Sequence, residues 1–283
     1  MKQKHKVWIK RIVVFVVLIA FCWVQNNWLT VSVYTYESTK IPAALDGYRV
    51  VQLSDLHNAT FGVGNQWLLS KVAQLQPDII VITGDVVDST FTDIEVATMF
   101  AEQCVGIAPT YYITGNHEIW LEETERLSLL KELEKCGVVC LKDELVEISK
   151  GEGTFSLIGL NDESLMGNTL QNVLEGANKE QLQVLLAHEP QYLDNYAASS
   201  VDLVLTGHAH GGQFRLPFMG GVVAPGQGLF PKYTSGEHVK GTTTMIISRG
   251  LGNSVIPVRL FNLPEIVCVE LERKNVDMKQ WAN

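Results

Sequence analysis

The chain has 283 residues, of which 46% are hydrophobic and 19% charged, so it can bury a large core and needs neither disulfides nor structural metals to hold its fold. It has 31 acidic residues against 22 basic ones, and five of the basic residues lie in the first eleven positions, which leaves a strongly acidic body. Because such a body repels polyanions, bulk nucleic acid is not expected as a partner.

Residues 1–35 have the pattern of a basic leader followed by a membrane anchor. The stretch from Ile12 to Val24 is uncharged and apolar. A full span needs about 20 residues, and the stretch reaches that length only by continuing to Val33 with the polar residues 25–27 at headgroup level. A cleaved secretory signal is the alternative. It is disfavoured because no small-x-small cleavage site follows Val24.

The charges around the apolar stretch predict its orientation. All nearby basic residues precede it, and the next one is Lys40. The positive-inside rule therefore predicts a single-pass protein of the cell membrane, with a cytoplasmic N-terminus and an extracytoplasmic body. The five cysteines favour the opposite side, because they are odd in number, lack metal-ligand spacing, and unpaired thiols are uncommon in oxidising surroundings. Both orientations stay open.

Beyond the anchor, residues 36–47 are predicted to be a connector and residues 48–283 one globular domain. Its first half is expected to contain strand Arg49–Leu53, helix Gln66–Gln74, strand Asp78–Ile82, helix Asp93–Gln103, strand Thr110–Ile113 and a long charged helix Glu118–Lys135. Its second half is expected to contain strands near Leu145–Ile148, Phe155–Ile158, Val184–Ala187, Val201–Leu205, Thr243–Ile247 and Glu265–Leu271. This order predicts an α/β fold, a four-layer αββα sandwich of two stacked mixed sheets flanked by helices.

Metal-binding residue types follow five of the predicted strands, where the carboxyl ends of a sheet place ligand-binding loops. The segments are Ser54-Asp55-Leu56-His57, Thr83-Gly84-Asp85-Val86-Val87-Asp88, Thr114-Gly115-Asn116-His117-Glu118, Ala187-His188-Glu189-Pro190 and Thr206-Gly207-His208-Ala209-His210. Five of the seven histidines lie in these segments. Imidazole and carboxylate together suit Zn, Mn or Fe. Each segment alone is weak evidence, since Asp-x-His or Gly-Asp is more often a turn, but the ordered set predicts a metal site.

The ordered set resembles the signature of the calcineurin-like metallophosphoesterase superfamily, which runs D-x-H, G-D-x-x-D, G-N-H-[DE], a lone His and G-H-x-H. The resemblance covers Tyr48 to Leu271. The G-H-A-H-G-G-Q run, the later Ser248–Gly252 segment and the Leu263-Pro264-Glu265 ending resemble a bacterial membrane-associated branch of that superfamily. One departure is Gln191, where an acid is expected; it is not a ligand position.

The resemblance implies two divalent metal ions (Mn, Fe or Zn) and a role for each matching residue. One ion would be held by Asp55, His57, Asp85 and His210, and the other by Asp85, Asn116, His188 and His208. Asp85 would bridge the ions, and a metal-bridging hydroxide would attack phosphorus. His117 would protonate the leaving oxygen, with Asp88 orienting His117. For Asp88 the alternative is a helix N-cap before Phe91 to Gln103.

The implied activity is hydrolysis of a phosphate ester or pyrophosphate bond. The anchor adds the expectation of a lipid-linked or cell-wall-linked substrate, reached at the membrane through the N-terminal segment. The alternative from another class is a non-catalytic metal-binding scaffold of the same fold, which the complete ligand set disfavours. A single-metal hydrolase or sensor is a third possibility, and the second ligand set argues against it.

Overall fold

A computed structural model describes residues 2–216, 218–254 and 256–275. The helices among them are α1 (Lys2–Asn27), α2 (Gln66–Gln74), α3 (Ile94–Val105), α4 (Asn116–Ile119), α5 (Glu123–Lys135), α6 (Thr169–Leu174) and α7 (Leu193–Ala198). The strands are β1 (Thr30–Ser38), β2 (Tyr48–Leu53), β3 (Ile79–Thr83), β4 (Thr110–Ile113), β5 (Val139–Cys140), β6 (Glu144–Lys150), β7 (Gly153–Gly159), β8 (Gln183–Leu186), β9 (Leu203–Thr206), β10 (Arg215–Leu216), β11 (Gly220–Gly221), β12 (Val223–Ala224), β13 (Gly228–Leu229), β14 (Gly236–Lys240), β15 (Thr243–Ile247) and β16 (Glu265–Arg273).

Two large mixed sheets stack face to face. The first sheet has the order β1-β16-β2-β3-β4-β5 and the second β14-β15-β9-β8-β7-β6. Strands β2 to β5 run parallel, as do β7, β8, β9 and β15, while β16, β14 and β6 pair antiparallel with their neighbours β2, β15 and β7. The carboxyl ends of the parallel strands therefore form one edge of each sheet.

The burial of alternate residues explains the four layers. In β3, Ile79 and Val81 face a central core between the sheets, whereas Ile80 and Ile82 face the helices outside. Helices α2, α3 and α5 cover the first sheet, and α6 and α7 cover the second. A strand buried on both faces requires a continuous apolar run, and β3 has one from Ile79 to Ile82. The predicted αββα sandwich is confirmed.

Most predicted elements are found within one or two residues of the expected bounds. The long helix predicted over Glu118–Lys135 is instead two helices, α4 and α5. The break has a physical reason: the buried Glu118 accepts backbone N–H bonds from Asp85 and Gly115, which pins α4 to those loops, and a new helix starts at Glu123.

The stretch assigned to the end of the anchor and the connector contains a strand. Strand β1 pairs in parallel with β16 from Thr30↔Glu265 to Ser38↔Arg273. Its alternate residues Tyr34 and Tyr36 pack against the central core. Residues 30–35 of the predicted anchor and residues 36–38 of the predicted connector thus belong to a strand, because the unpaired edge of β16 needs a partner and this alternating segment supplies it.

Candidate metal centre

Loops from both sheets converge at the carboxyl ends of β2, β3, β4, β8 and β9, as the sequence predicts. Several of the loop residues adopt left-handed backbone angles that non-glycine residues rarely use, namely Asp55 (φ 52), His57 (φ 46), Asp85 (φ 52), His208 (φ 64) and His210 (φ 46). Such strain costs on the order of 1–3 kcal/mol per residue and gathers at functional sites. It bends each loop so that its polar side chains turn into one buried space.

The first cluster consists of Asp55, His57, Asp85 and His210, all buried, with one ligand atom from each within 4.8 Å of the others. His57 Nε2 lies 3.2 Å from His210 Nε2 and 3.5 Å from Asp85 Oδ2. His210 Nε2 lies 3.6 Å from Asp55 Oδ1. Four donor atoms from three loops thus face one another.

The second cluster joins Asp85, His188 and His208 with the amide of Asn116. His188 Nε2 lies 3.2 Å from Asp85 Oδ2 and 3.1 Å from Asn116 Oδ1. His208 Nδ1 lies 2.7 Å from the same amide oxygen. Asp85 belongs to both clusters, so its carboxylate stands where a bridging ligand would be.

The protonation of His188 shows that the site fits a cation. His188 Nδ1 lies 2.7 Å from the backbone oxygen of Thr83, which can only accept, so Nδ1 carries the proton. Nε2 faces two further acceptors, Asp85 Oδ2 and Asn116 Oδ1. Burial opposes a charge on the ring, but the facing Asp85 raises the pKa of His188 well above its ordinary value, so the site attracts a positive charge at Nε2. A metal ion can take the place of that proton, and a Nδ1–H bond to a carbonyl is the usual support of a metal-bound imidazole.

The electrostatics of the other rings also suit metal binding. Burial and the neighbouring His57 lower the pKa of His210 well below its ordinary value. Burial and His188 lower the pKa of His208 to about 3. Both rings are therefore neutral at neutral pH and offer lone pairs. Burial opposes ionisation of Asp85, but the facing His188 holds the pKa of that carboxyl below its usual range, so a negative charge is available.

His117 lies beside the clusters, with its ring centroid 4.4 Å from that of His57. Its Nδ1 accepts the backbone N–H of Ser89 at 3.0 Å, so the neutral ring carries its proton on Nε2, which is 3.2 Å from Ser254 Oγ. Burial lowers the pKa of His117 and favours that neutral form.

Asp88 is close to His117 but does not hydrogen-bond to it. Its Oδ2 lies 4.0 Å from His117 Nδ1 and 3.6 Å from His57 Nδ1. Its Oδ1 accepts the N–H of Thr90, while Asp93 caps α3. The helix N-cap reading of Asp88 is thus wrong. The hydrogen bond that orients His117 comes from Ser89, which the sequence motifs do not mark.

Sequence reasoning gave no role to Glu118, although it is the last residue of the Gly-Asn-His-Glu motif. Its carboxylate accepts N–H bonds from Asp85 at 2.8 Å, Val86 at 2.8 Å and Gly115 at 2.7 Å. It therefore ties the loop of the bridging Asp85 to the loop of Asn116. Gly115 must be glycine at this contact, because a Cβ there would lie 2.4 Å from Asp85 Oδ1.

A second support comes from the segment between β15 and β16, in which Ser248–Gly252 resembles the membrane-associated branch but has no predicted role in the site. The guanidinium of the buried Arg259 donates to the carbonyls of Arg249 and Gly252. The Gly252 N–H in turn donates to the Asp55 carbonyl at 2.6 Å, and the Asn262 amide donates to the His210 carbonyl at 2.7 Å. This segment fixes the backbone of two ligands of the first cluster.

The sequence matches the family model described as calcineurin-like phosphoesterase over residues 48–212. It is 27% identical to the uncharacterized metallophosphoesterase YkuE of Bacillus subtilis (strain 168), over 89% of this chain and 89% of that protein. It is 31% identical to the phosphodiesterase YaeI of Escherichia coli (strain K12), over 79% of this chain and 82% of that protein. A transmembrane protein with metallophosphoesterase domain from Danio rerio is 31% identical over 83% of this chain, which spans 55% of that protein.

Proposed function

The chain belongs to the calcineurin-like phosphoesterase family, and from that premise we propose that it is a membrane-anchored two-metal phosphoesterase acting on a lipid-linked or wall-linked phosphate ester or pyrophosphate. Family membership makes it a metal-dependent hydrolase with a binuclear divalent centre. The observation that carries the proposal is the pair of buried ligand clusters that share Asp85.

In this proposal Asp55, His57, Asp85 and His210 hold one ion, and Asp85, Asn116, His188 and His208 hold the other. When bound, two such ions would lower the pKa of a water molecule and neutralise charge on the phosphoryl oxygens. The chain itself supplies the acid: once His117 has taken up a second proton and is an imidazolium, its Nε2–H can pass to a leaving oxygen and leave the neutral ring behind. Ser89 keeps the proton of that neutral ring on Nε2, and Asp88, 4.0 Å away, adds negative charge that favours uptake of the second proton.

Membrane anchoring is supported by α1, which within the described residues is the helix long and apolar enough to cross a bilayer, over His5–Asn27. A signal sequence has the same length and composition. The contacts at the end of α1 favour a retained anchor, because the Asn26 side chain bonds to the Pro257 carbonyl and to the Arg259 N–H, each at 2.9 Å. Cleavage would remove this support from the Arg259 segment. We propose a cytoplasmic N-terminus on the charge pattern.

The test uses the full chain in detergent, because a truncation at residue 37 would cut through β1. The protein is stripped of metal, refilled with Mn²⁺, and assayed with p-nitrophenyl phosphate, bis-(p-nitrophenyl) phosphate and a lipid phosphate ester in mixed micelles, while bound ions are counted. We expect two ions per chain, turnover that depends on them, and fastest hydrolysis of the lipid ester.

Other outcomes separate the alternatives. Two bound ions without turnover of any ester would favour the scaffold, and one ion per chain with turnover would favour a single-metal hydrolase. Turnover of both soluble esters with none of the lipid ester would keep the enzyme and remove the lipid-linked substrate.

A further inference from the structure

The membrane helix does not end in a flexible tether. Its last turns pack on the globular body: the ring of Phe21 lies 5.9 Å from that of Phe261, and the ring of Trp23 lies 6.4 Å from that of Trp67. The Asn26 side chain holds the Pro257–Arg259 backbone by two hydrogen bonds. The helix therefore has a defined position relative to the globular body. A membrane that surrounds the helix then also has a defined position relative to the body.

The sheet topology places this junction at the metal-binding end of the body. Strand β16 starts at Glu265 and runs antiparallel to β2, so its first residues lie beside the carboxyl end of β2, from which Asp55 and His57 follow. Strand β1 starts at Thr30 opposite Glu265 and runs away from that end. The chain thus leaves α1 at the same edge of the first sheet that carries the metal ligands.

The length of α1 decides how close the membrane comes. The candidate span His5–Asn27 is long enough to cross a bilayer, but only about 24 Å of it, at 1.5 Å per residue, lies between His5 and Phe21, and the uncharged run Ile12–Val24 spans about 20 Å, against about 30 Å of hydrocarbon in a typical bilayer. Phe21 and Trp23, at the far end of this run, already contact the body. Snorkelling of Lys10 and Arg11 recovers only part of the difference. The surface of the body next to α1 must then lie at headgroup or acyl level.

That surface exposes the side chains expected at such a depth. Trp67 is 46% exposed and Phe261 58% exposed despite their contacts with α1. Leu216, Phe218 and Met219 follow the neighbouring strand, since Phe214 bridges to Leu260 and the Arg215 N–H donates to the Leu260 carbonyl at 2.9 Å. Of these three residues, Phe218 is fully exposed. Trp favours the membrane interface because its ring is apolar and its indole N–H is polar, and Phe and Leu side chains of interfacial segments enter the apolar side of the same boundary.

The same segments reach the metal site. Phe261 precedes Asn262, whose amide donates to the His210 carbonyl at 2.7 Å. Ser254, in the segment that α1 holds, lies 3.2 Å from His117 Nε2. Leu216, Phe218 and Met219 follow His210 within nine residues along the chain.

We propose that Trp67, Phe261, Leu216, Phe218 and Met219 form an interfacial face that is embedded in the bilayer, with the metal site opening at its edge. The occupant of this face is the boundary between the headgroups and acyl chains of a phospholipid bilayer. Apolar insertion drives the contact, since the acidic body gains nothing from anionic lipids. The inference deepens the proposed function and rests on its membrane anchoring: a site held there meets phosphates at headgroup depth.

The test places the photoreactive residue p-benzoylphenylalanine, one position at a time, in the full chain reconstituted in phosphatidylcholine vesicles. The positions are Phe218 and Phe261 in the interfacial face, Phe15 in α1, and Val239 as the matched control. Val239 is exposed, and it pairs with Thr244 near the start of β15, at the opposite end of the second sheet. Hydrolysis of a soluble p-nitrophenyl ester checks that each variant is folded and active.

After illumination, we expect mass spectrometry to detect lipid adducts at positions Phe15, Phe218 and Phe261 and none at position Val239. Adducts at Phe15 without adducts at Phe218 and Phe261 would overturn the interfacial face and leave the anchor in place. A lack of adducts at all positions in active protein would overturn the anchor and the face together while leaving the phosphoesterase standing. Equal adducts at Val239 would also overturn the inference, because lipid contact would not be confined to this face.

Discussion

The two ligand clusters differ in how firmly the protein holds their imidazole rings. In the second cluster, His188 is fixed by a 2.7 Å hydrogen bond from Nδ1 to the Thr83 carbonyl. In the first cluster, the Nδ1 atoms of His57 and His210 are buried and have no hydrogen-bond partner among the described residues. The Nε2 atom of His208 in the second cluster also has none there, so the difference between the clusters rests on His188. A ring that is already oriented binds a metal without losing further rotational freedom, so the second cluster is the more preorganised of the two.

The first cluster is held through its backbone instead. The Gly252 and Asn262 contacts position the main chain of Asp55 and His210, but they do not fix the rings. From this difference we expect an ion in the second cluster to be bound more tightly and an ion in the first cluster to be the exchangeable one. Asp85 is common to both clusters, so its loss should remove both ions.

The largest effect is expected for Asp85→Asn. The amide cannot bridge two cations, so both ions should be lost. Changes to residues that only support metal ligands lower activity by roughly 10–100-fold, and turnover of p-nitrophenyl esters by Asp85→Asn should fall by more than that. Metal content and turnover are measured on the same sample. Asp194→Asn, an exposed carboxylate paired with Lys240, is the control and should retain both. Two ions retained by Asp85→Asn would exclude it as the bridge.

His117→Ala separates catalysis from metal binding. Removing the proton on Nε2 should lower turnover by about 10² to 10⁴, while both clusters keep their ligands and both ions. An ester with a good leaving group should suffer least, because it needs little protonation. Loss of an ion from this variant would instead make His117 a ligand, which its grouping with His57 and Asp88 would allow.

The strand-end loops were predictable because their chemistry is local. Each metal-binding motif follows its own strand within a few residues, and the parallel order of β2, β3 and β4 then brings the motifs together. The supporting contacts were not predictable in the same way. Ser89 acts through its backbone, and Arg259 is a single residue with no motif, so only the folded positions of their partners reveal a role.

The N-terminal edge illustrates the other limit. Val31 and Val33 of β1 are outward-facing apolar residues, and next to the apolar run they favour a continued membrane span over a strand. The decisive information is the open edge of β16, which lies more than 230 residues further along the chain. Local patterns identify an alternating segment, but the partner that makes it a strand is non-local.

Separate removal of one ring from each cluster tests their ranking. Stripped protein titrated with Mn²⁺ should show two binding phases that differ by about 10–100-fold in affinity, the range that support from outside the ligand set provides. His57→Ala should remove the weaker phase and His188→Ala the tighter one. Calorimetry measures both. The reverse assignment would show that ring orientation does not set the order.

Glu118→Gln should weaken both clusters equally, because Glu118 ties the Asp85 loop to the Asn116 loop rather than serving one ion. A glutamine amide would turn an N–H₂ toward backbone N–H groups that now have a carboxylate acceptor, leaving buried donors unpaired at a cost of about 2–3 kcal/mol in the free energy of unfolding. Urea unfolding of metal-stripped protein isolates this effect from the stabilisation that bound ions add. Glu123→Gln, exposed at the start of α5, is the matched control and should leave the unfolding midpoint unchanged. Two results would contradict this prediction. One is an unfolding midpoint for Glu118→Gln equal to that of the control, and the other is loss of only one Mn²⁺ phase in calorimetry. Either would mean that the Asp85 loop and the Asn116 loop are positioned independently and that each cluster has its own support.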